Sequence, residues 1–325
     1  MTARVLVSSR RLDPANWLAY RQQGIGSSDA AAVCGLDPYR SPYEVFLEKR
    51  GEAPPKPETR AMWLGKQLEP IVANLFTQET GWPVRRRQAI LQHRKLPWML
   101  CNLDRRTRDD TGRWVPLELK TTAQWHEADW PAGDCPDAYR VQVAHQLAVD
   151  GADHGYLAVL IGGREFRWLR IDRDPELEAS LIALESEFWA HVERGEPPPL
   201  SGSPAEEALL TRLYPTVARP DPIALPPEVA PYVALYWAAK SERDAAEARM
   251  EAAATQLKAA LRDAAEAWWD GPDGTWRVTW KPVTRRGLDT RRLEQEHPEW
   301  AVLYTTEETT RRFRVLPPKR QRKEG

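Results

Sequence analysis

Residues 103–120 read LDRRTRDDTGRWVPLELK, and the placement of their charges decides the fold. Two apolar runs, 98–104 and 114–120, flank a polar turn containing Asp109, Asp110 and Gly112, the pattern of neighbouring strands. Side chains alternate across a strand, so Glu118 and Lys120 share one face while Leu117 and Leu119 share the other. Asp104 ends the first strand, so two carboxylates and an ammonium converge at one end of a hairpin. Hard oxygen donors of this kind suit Mg²⁺, which keeps several waters and takes one or two protein carboxylates. Such an ion polarises a phosphoryl oxygen and supplies a hydroxide nucleophile. Lys120 is then placed to orient the attacking water or to neutralise the charge that develops on phosphorus. The E-x-K triplet alone is weak evidence, because charged pairs also stabilise ordinary surface hairpins. Pro116 cannot donate to a ladder, which predicts an edge strand or a bulge.

Outward from this segment, three proline-rich stretches punctuate the chain. Residues 53–57 read as a loop, 196–204 (EPPPLSGSP) as a domain boundary and 219–227 (RPDPIALPP) as a second linker. Leu68, Ile71, Val72, Leu75 and Phe76 recur at helical spacing before Gly81, with Pro70 expected in the first turn of that helix. Residues 137–150 and 175–193 read as helices, and 155–161 with 165–171 as a hairpin turned at Gly162 and Gly163. Residues 1–200 therefore form an α+β domain with a mixed central sheet flanked by helices. Residues 201–325 form a helical and basic extension. Within it, 230–269 reads as a long helix or helix pair, 276–281 and 311–315 as strands, and 288–297 as a helix. From 275 to 325 there are 13 Lys plus Arg against 7 Asp plus Glu, and 319–323 reads as a disordered tail.

Composition excludes several classes. The net charge is −1, so a nucleic-acid partner would have to be held by clustered rather than surplus basic residues. Cys34, Cys101 and Cys135 are odd in number and far apart, which argues against disulfides and zinc and for the reducing cytoplasm. No apolar run is long enough to span a membrane. The chain has no G-x-x-x-x-G-K-[ST] loop, and its six histidines lack ligand spacing.

The spacing D-x13-E-x-K is the pattern of the PD-(D/E)xK nucleases, and further blocks in order extend the likeness. Arg21 precedes Gly24-Ile25-Gly26-Ser27-Ser28-Asp29; Gly65-Lys66 leads to Glu69; Asn102-Leu103-Asp104 and Leu117-Glu118-Leu119-Lys120 follow; Tyr139-Arg140-Val141-Gln142 closes the set. With these blocks the sequence resembles the YqaJ-like viral recombinase family, relatives of the phage lambda exonuclease, from residue 14 to about residue 195. The resemblance implies a restriction-endonuclease-like core and a metal site of Asp104, Glu118 and Glu69, with Gln142 assisting Lys120. It implies that Arg21 and Ser28 bind a terminal 5′ phosphate, and that Asn102 and Arg105 contact DNA. Gln146 is read as an ordinary polar position. The family often carries Gly after the metal aspartate; here Arg105 and Arg106 stand there, placed to contact phosphates or to solvate the turn. The implied activity is Mg²⁺-dependent resection of linear double-stranded DNA from 5′ ends, with Mn²⁺ as a substitute ion. The implied setting is a phage or prophage in the cytoplasm of a bacterial host, with a single-strand annealing protein as partner and a ring-like homotrimer as assembly. The rival readings are an endonuclease or repair nuclease of the same fold, and a catalytically idle DNA-binding protein.

Overall fold

The computed structural model describes residues 3–131, 133–284, 286–307 and 310–316. Contacts within the chain gather into two compact units, Met1–Tyr214 and Pro215–Gly325. In chain order the first holds β1 (Arg4–Ser8), α1 (Pro14–Arg21), β2 (Ile25–Gly26), α2 (Ser27–Val33), α3 (Pro42–Arg50), α4 (Arg60–Thr80), β3 (Val84–Arg85), β4 (Ala89–Gln92), β5 (Met99–Asn102), β6 (Arg105–Arg108) and β7 (Trp114–Thr122). It continues with α5 (Asp137–Asp150), β8 (His154–Ile161), β9 (Glu165–Asp172), α6 (Pro175–Arg194) and α7 (Pro204–Leu213). One sheet has the order β3-β6-β7-β8-β9, with β7 and β8 parallel and the other pairs antiparallel. The other has the order β1-β4-β5-β2, with β2 and β5 parallel. Both sheets are mixed and helices flank them, the α+β architecture expected.

Helices cover both faces of the five-stranded sheet. Val72 and Phe76 of α4 pack on Leu117, Leu119, Tyr156 and Ala158. Val143 and Leu147 of α5 pack on Leu157, Val159 and Ile161. Every residue of β8 is buried, which is why its sequence is almost continuously apolar rather than alternating. Gly162 and Gly163, at φ 57° and 71°, make the turn into β9.

In the first unit four expectations need correction. Residues 98–104 and 114–120 are not adjacent strands: β5 belongs to the four-stranded sheet, while β6 is the antiparallel neighbour of β7. Asp104 sits where the chain crosses from one sheet to the other. Pro116 marks no edge, since β7 is internal; β8 pairs with β7 only from Leu117 onward, so the missing N–H precedes that ladder. Pro70 lies deep in α4, which begins at its Thr59 cap; the surrounding turns are largely exposed, so water can satisfy the carbonyl that Pro70 leaves without a donor. The boundary expected at residue 200 moves to 214, because Leu209 of α7 is fully buried against Val45, Phe46 and Phe188.

The second unit has one long helix, α8 (Ala230–Leu261), then the hairpin β10 (Glu266–Gly271) and β11 (Gly274–Thr279), and the short helices α9 (Thr290–Glu296) and α10 (Pro298–Tyr304). The helix expected to reach residue 269 stops at Leu261, where Arg262 takes φ 53°, and Trp268 and Trp269 belong to β10 instead. Residues 311–315 are not a strand. The tail 319–323 and Arg285 lie outside the described residues.

Candidate active site

Strand alternation places Glu118 and Lys120 on the face of β7 opposite the α4 core, where α5 can reach them. Glu118 is 2% exposed. Its Oε1 lies 2.7 Å from Lys120 Nζ and accepts from the Gln142 amide, while its Oε2 accepts from Gln146 Nε2 at 2.6 Å. Lys120 Nζ also donates to Gln142 Oε1 at 2.9 Å and stands over the Tyr139 ring at 5.1 Å. Gln142 and Gln146 are one helical turn apart, so a single face of α5 grips both oxygens of one carboxylate.

Asp104 approaches from the other side. Its Oδ2 accepts the Leu119 N–H at 3.0 Å. Burial and the neighbouring Glu118 charge raise its pKa from 3.8 to about 8, against the opposing effect of Lys120. Burial acts to deprotonate Lys120, but the Glu118 and Asp104 carboxylates outweigh it and hold the ammonium above its usual range. Two carboxylates and one ammonium share a partly desolvated site, an excess of negative charge that favours a cation. Among the described residues no group of three or more His, Cys, Asp or Glu gathers as a metal site. A two-carboxylate, all-oxygen donor set with room for water remains, which fits Mg²⁺ better than zinc.

A cleft of ≈ 410 Å³ opens over this centre. Asp104, Glu118, Lys120, Gln142, Glu69, Asn102, Arg21 and Ser28 all line it; Arg105 does not. Arg105 is 6% exposed, and its guanidinium pairs with Glu69 and donates to the Asp104 carbonyl at 2.7 Å. Glu69 is thus at the cleft wall but engaged by an arginine. Arg106 bonds Asp150 and the Trp114 carbonyl.

The cleft wall also carries Arg21 and Ser28. Arg21 donates to Ser28 Oγ at 2.9 Å and to Asp29 Oδ1 at 3.0 Å. Asp29 is fully buried and also takes Arg40 at 3.0 Å and Lys49 at 2.6 Å. Burial acts to raise its pKa, but these three cations hold its carboxyl well below the usual range. Gly24 brings β2 close to β5, since a Cβ there would lie 2.3 Å from the Trp98 carbonyl oxygen.

Sequence reasoning missed Gln146, which is fully buried and belongs to the Glu118 cradle. Its four-residue spacing from Gln142 was the available signal. It also missed Trp17, whose ring lies 4.8 Å from the Arg21 guanidinium carbon at the cleft edge. The indole carries no motif that separates this position from a core one.

The model of the YqaJ-like viral recombinase domain matches residues 16–153. A protein of Bacillus subtilis (strain 168), named Uncharacterized protein YqaJ, is 33% identical over 317 residues, covering 96% of this chain and 97% of its own length. Among solved structures, the alkaline exonuclease of Laribacter hongkongensis in complex with dAMP is 23% identical, with a TM-score of 0.48 over 56% of this chain and 93% of that one. A phage-related exonuclease from Haemophilus somnus 129PT is 12% identical, with a TM-score of 0.41 over 53% of this chain and 94% of its own.

Proposed function

The chain belongs to the YqaJ-like viral recombinase family, and from that premise we propose that it is a magnesium-dependent deoxyribonuclease that resects linear double-stranded DNA from 5′ ends. The observation that carries the reading is the clustering of Asp104, Glu118 and Lys120 under one cleft that Arg21 and Ser28 also line. Asp104 and Glu118 would hold the ion, with Glu69 at the cleft wall. Magnesium there, or manganese in its place, supplies the Lewis acidity that phosphodiester hydrolysis needs. Lys120 stays protonated between its carboxylate neighbours, so it serves as a fixed positive charge for the phosphorus centre rather than as a proton acceptor. Gln142 orients both Lys120 and Glu118. Arg21 and Ser28 offer a fork of N–H donors and a hydroxyl to a terminal phosphate, and Asn102 also lines the cleft. The enzyme would act for a phage or prophage in the bacterial cytoplasm, as a ring-like homotrimer that leaves a 3′ single strand for an annealing protein.

The test is a time course on linear and circular duplexes with Mg²⁺ or EDTA, with linear ends carrying 5′ phosphate or 5′ hydroxyl. Wild type is expected to degrade only the linear duplex, faster from 5′ phosphates, and to stop in EDTA. Glu118→Ala, Asp104→Ala and Lys120→Ala are each expected to abolish cleavage with DNA binding kept, since they act on the transition state. Cutting of the circle would replace the exonuclease reading with an endonuclease. Full activity of Glu118→Ala would remove the site.

A further inference from the structure

Helix α8 buries only Leu261 of its 32 residues. Tyr232, Tyr236, Met250 and Leu257 stand 72%, 40%, 68% and 49% exposed. Most helical stability in proteins comes from packing one face, so a bare helix of this length asks for a partner. Its sequence has a face of period seven. Counting from residue 236, every first heptad position is large (Tyr236, Arg243, Met250, Leu257). Every fourth is Ala (Ala239, Ala246, Ala253, Ala260). Residues 232–260 span about 43 Å at 1.5 Å per residue, enough heptads for a coiled-coil seam.

The pattern selects both direction and register. A parallel partner sets large positions on large and Ala on Ala, and brings Glu242 against Glu247 of the second copy. An antiparallel partner sets each large position opposite a fourth heptad position. With the two-fold axis between residues 244 and 245, Tyr236 faces Ala253 of the second copy and Met250 faces its Ala239. The flanks then bring Lys240 against Glu247 of the second copy and Glu242 against its Arg249, each twice by symmetry. Sliding by one heptad keeps the size matching but opposes Glu247 to Glu247 and Arg249 to Arg249. Within one chain Asp244 holds both Lys240, at 2.8 Å, and Arg243, at 2.7 Å. Arg243 Nε lies 3.6 Å from Glu247, so its stem runs along the helix with the charge at the rim. Phe313 meets the Tyr236 ring edge-on and still leaves that residue open.

We infer that α8 is a self-association element, pairing antiparallel with α8 of a second copy of this chain in the register centred between residues 244 and 245. Sedimentation equilibrium on the full chain tests it, with Glu242→Arg and the double variant Glu242→Arg/Arg249→Glu. The wild type is expected to sediment as an even multiple of the chain mass. Glu242→Arg, which turns both symmetry-related Glu242–Arg249 attractions into repulsions, is expected to halve that mass with the helical circular-dichroism signal unchanged. The double variant is expected to restore it, because the two positions are seven residues apart on one helix and meet only across the pair. A monomeric wild type, a mass that Glu242→Arg leaves unchanged, or a double variant that stays dissociated each overturns the inference.

Discussion

Glu118 owes its position to two amides of one helix, and that sets what its neighbours are worth. Gln146 Nε2 is its Oε2 partner, in a place no water reaches freely. Gln146→Leu should lower kcat by about 10–100-fold, the usual cost of losing a group that orients a metal-binding carboxylate, and should weaken Mn²⁺ binding in parallel. Wild-type kcat and Mn²⁺ affinity in that variant would return Gln146 to a packing role. Asp104 carries a second consequence. Its folded pKa of about 8 stands above the ordinary 3.8, so between those values the folded chain holds a proton that the unfolded chain has lost. Metal-free stability should therefore fall as pH rises across that window, by about 1 kcal/mol per pH unit at the steepest. His145 contributes in the same sense: burial opposes its protonation, but Glu185 at 2.7 Å holds its pKa above the ordinary value. Urea midpoints in EDTA at pH 5 and pH 8, for wild type and Asp104→Asn, isolate the aspartate. An equal drop in both proteins would refute its share. That Glu118 and Lys120 share one face was legible because strand alternation fixes it, whereas Asp104 reaches them from the crossing between the two sheets, which alternation does not fix. Gln146 was not legible, because helical spacing alone does not say which polar face turns inward.

At the scale of elements, the sequence was most readable where local signals agreed, as in α5 and at the Gly162–Gly163 turn of the β8–β9 hairpin. It misled where the tertiary structure reassigned neighbours. Nothing local in residues 98–108 announces that β5 and β6 pair with different sheets, because the switch at Asp104 is made by long-range partners: β4 on one side, β7 on the other. The same holds for α7. Its proline-rich approach looks like a linker, yet Leu209 fills a gap in the core and Arg212 reaches Glu44 Oε1 at 2.6 Å. Leu209→Ala should cost about 2–5 kcal/mol, the range for emptying a buried leucine site. A chain ending at Leu200 should be destabilised at least as much, since Glu44 would keep only Lys56, at 3.4 Å, as a cationic partner. A chain ending at Tyr214 should keep the full first-unit transition. Urea unfolding of the three proteins checks the ordering, and equal midpoints for the 200- and 214-residue chains would show that α7 adds nothing.

Over the whole molecule, the cleft residues named above all belong to the first unit, Met1–Tyr214. The extension's long helix was visible from its Ala, Glu and Arg content, whereas the tryptophans of β10 and β11 were hidden by the helix-forming run before them. Between the last residue of α7 and the first of α8 the chain has only a short 3-10 turn, Pro227–Val229. A genetic crossover falling between the codons for Pro215 and Pro226 hands each offspring two uninjured units, whereas one falling fourteen codons earlier severs α7 from the core it plugs. The proline stretch after Tyr214, not the more conspicuous one before α7, is therefore where lineages that trade gene segments can graft a different tail onto the same first unit.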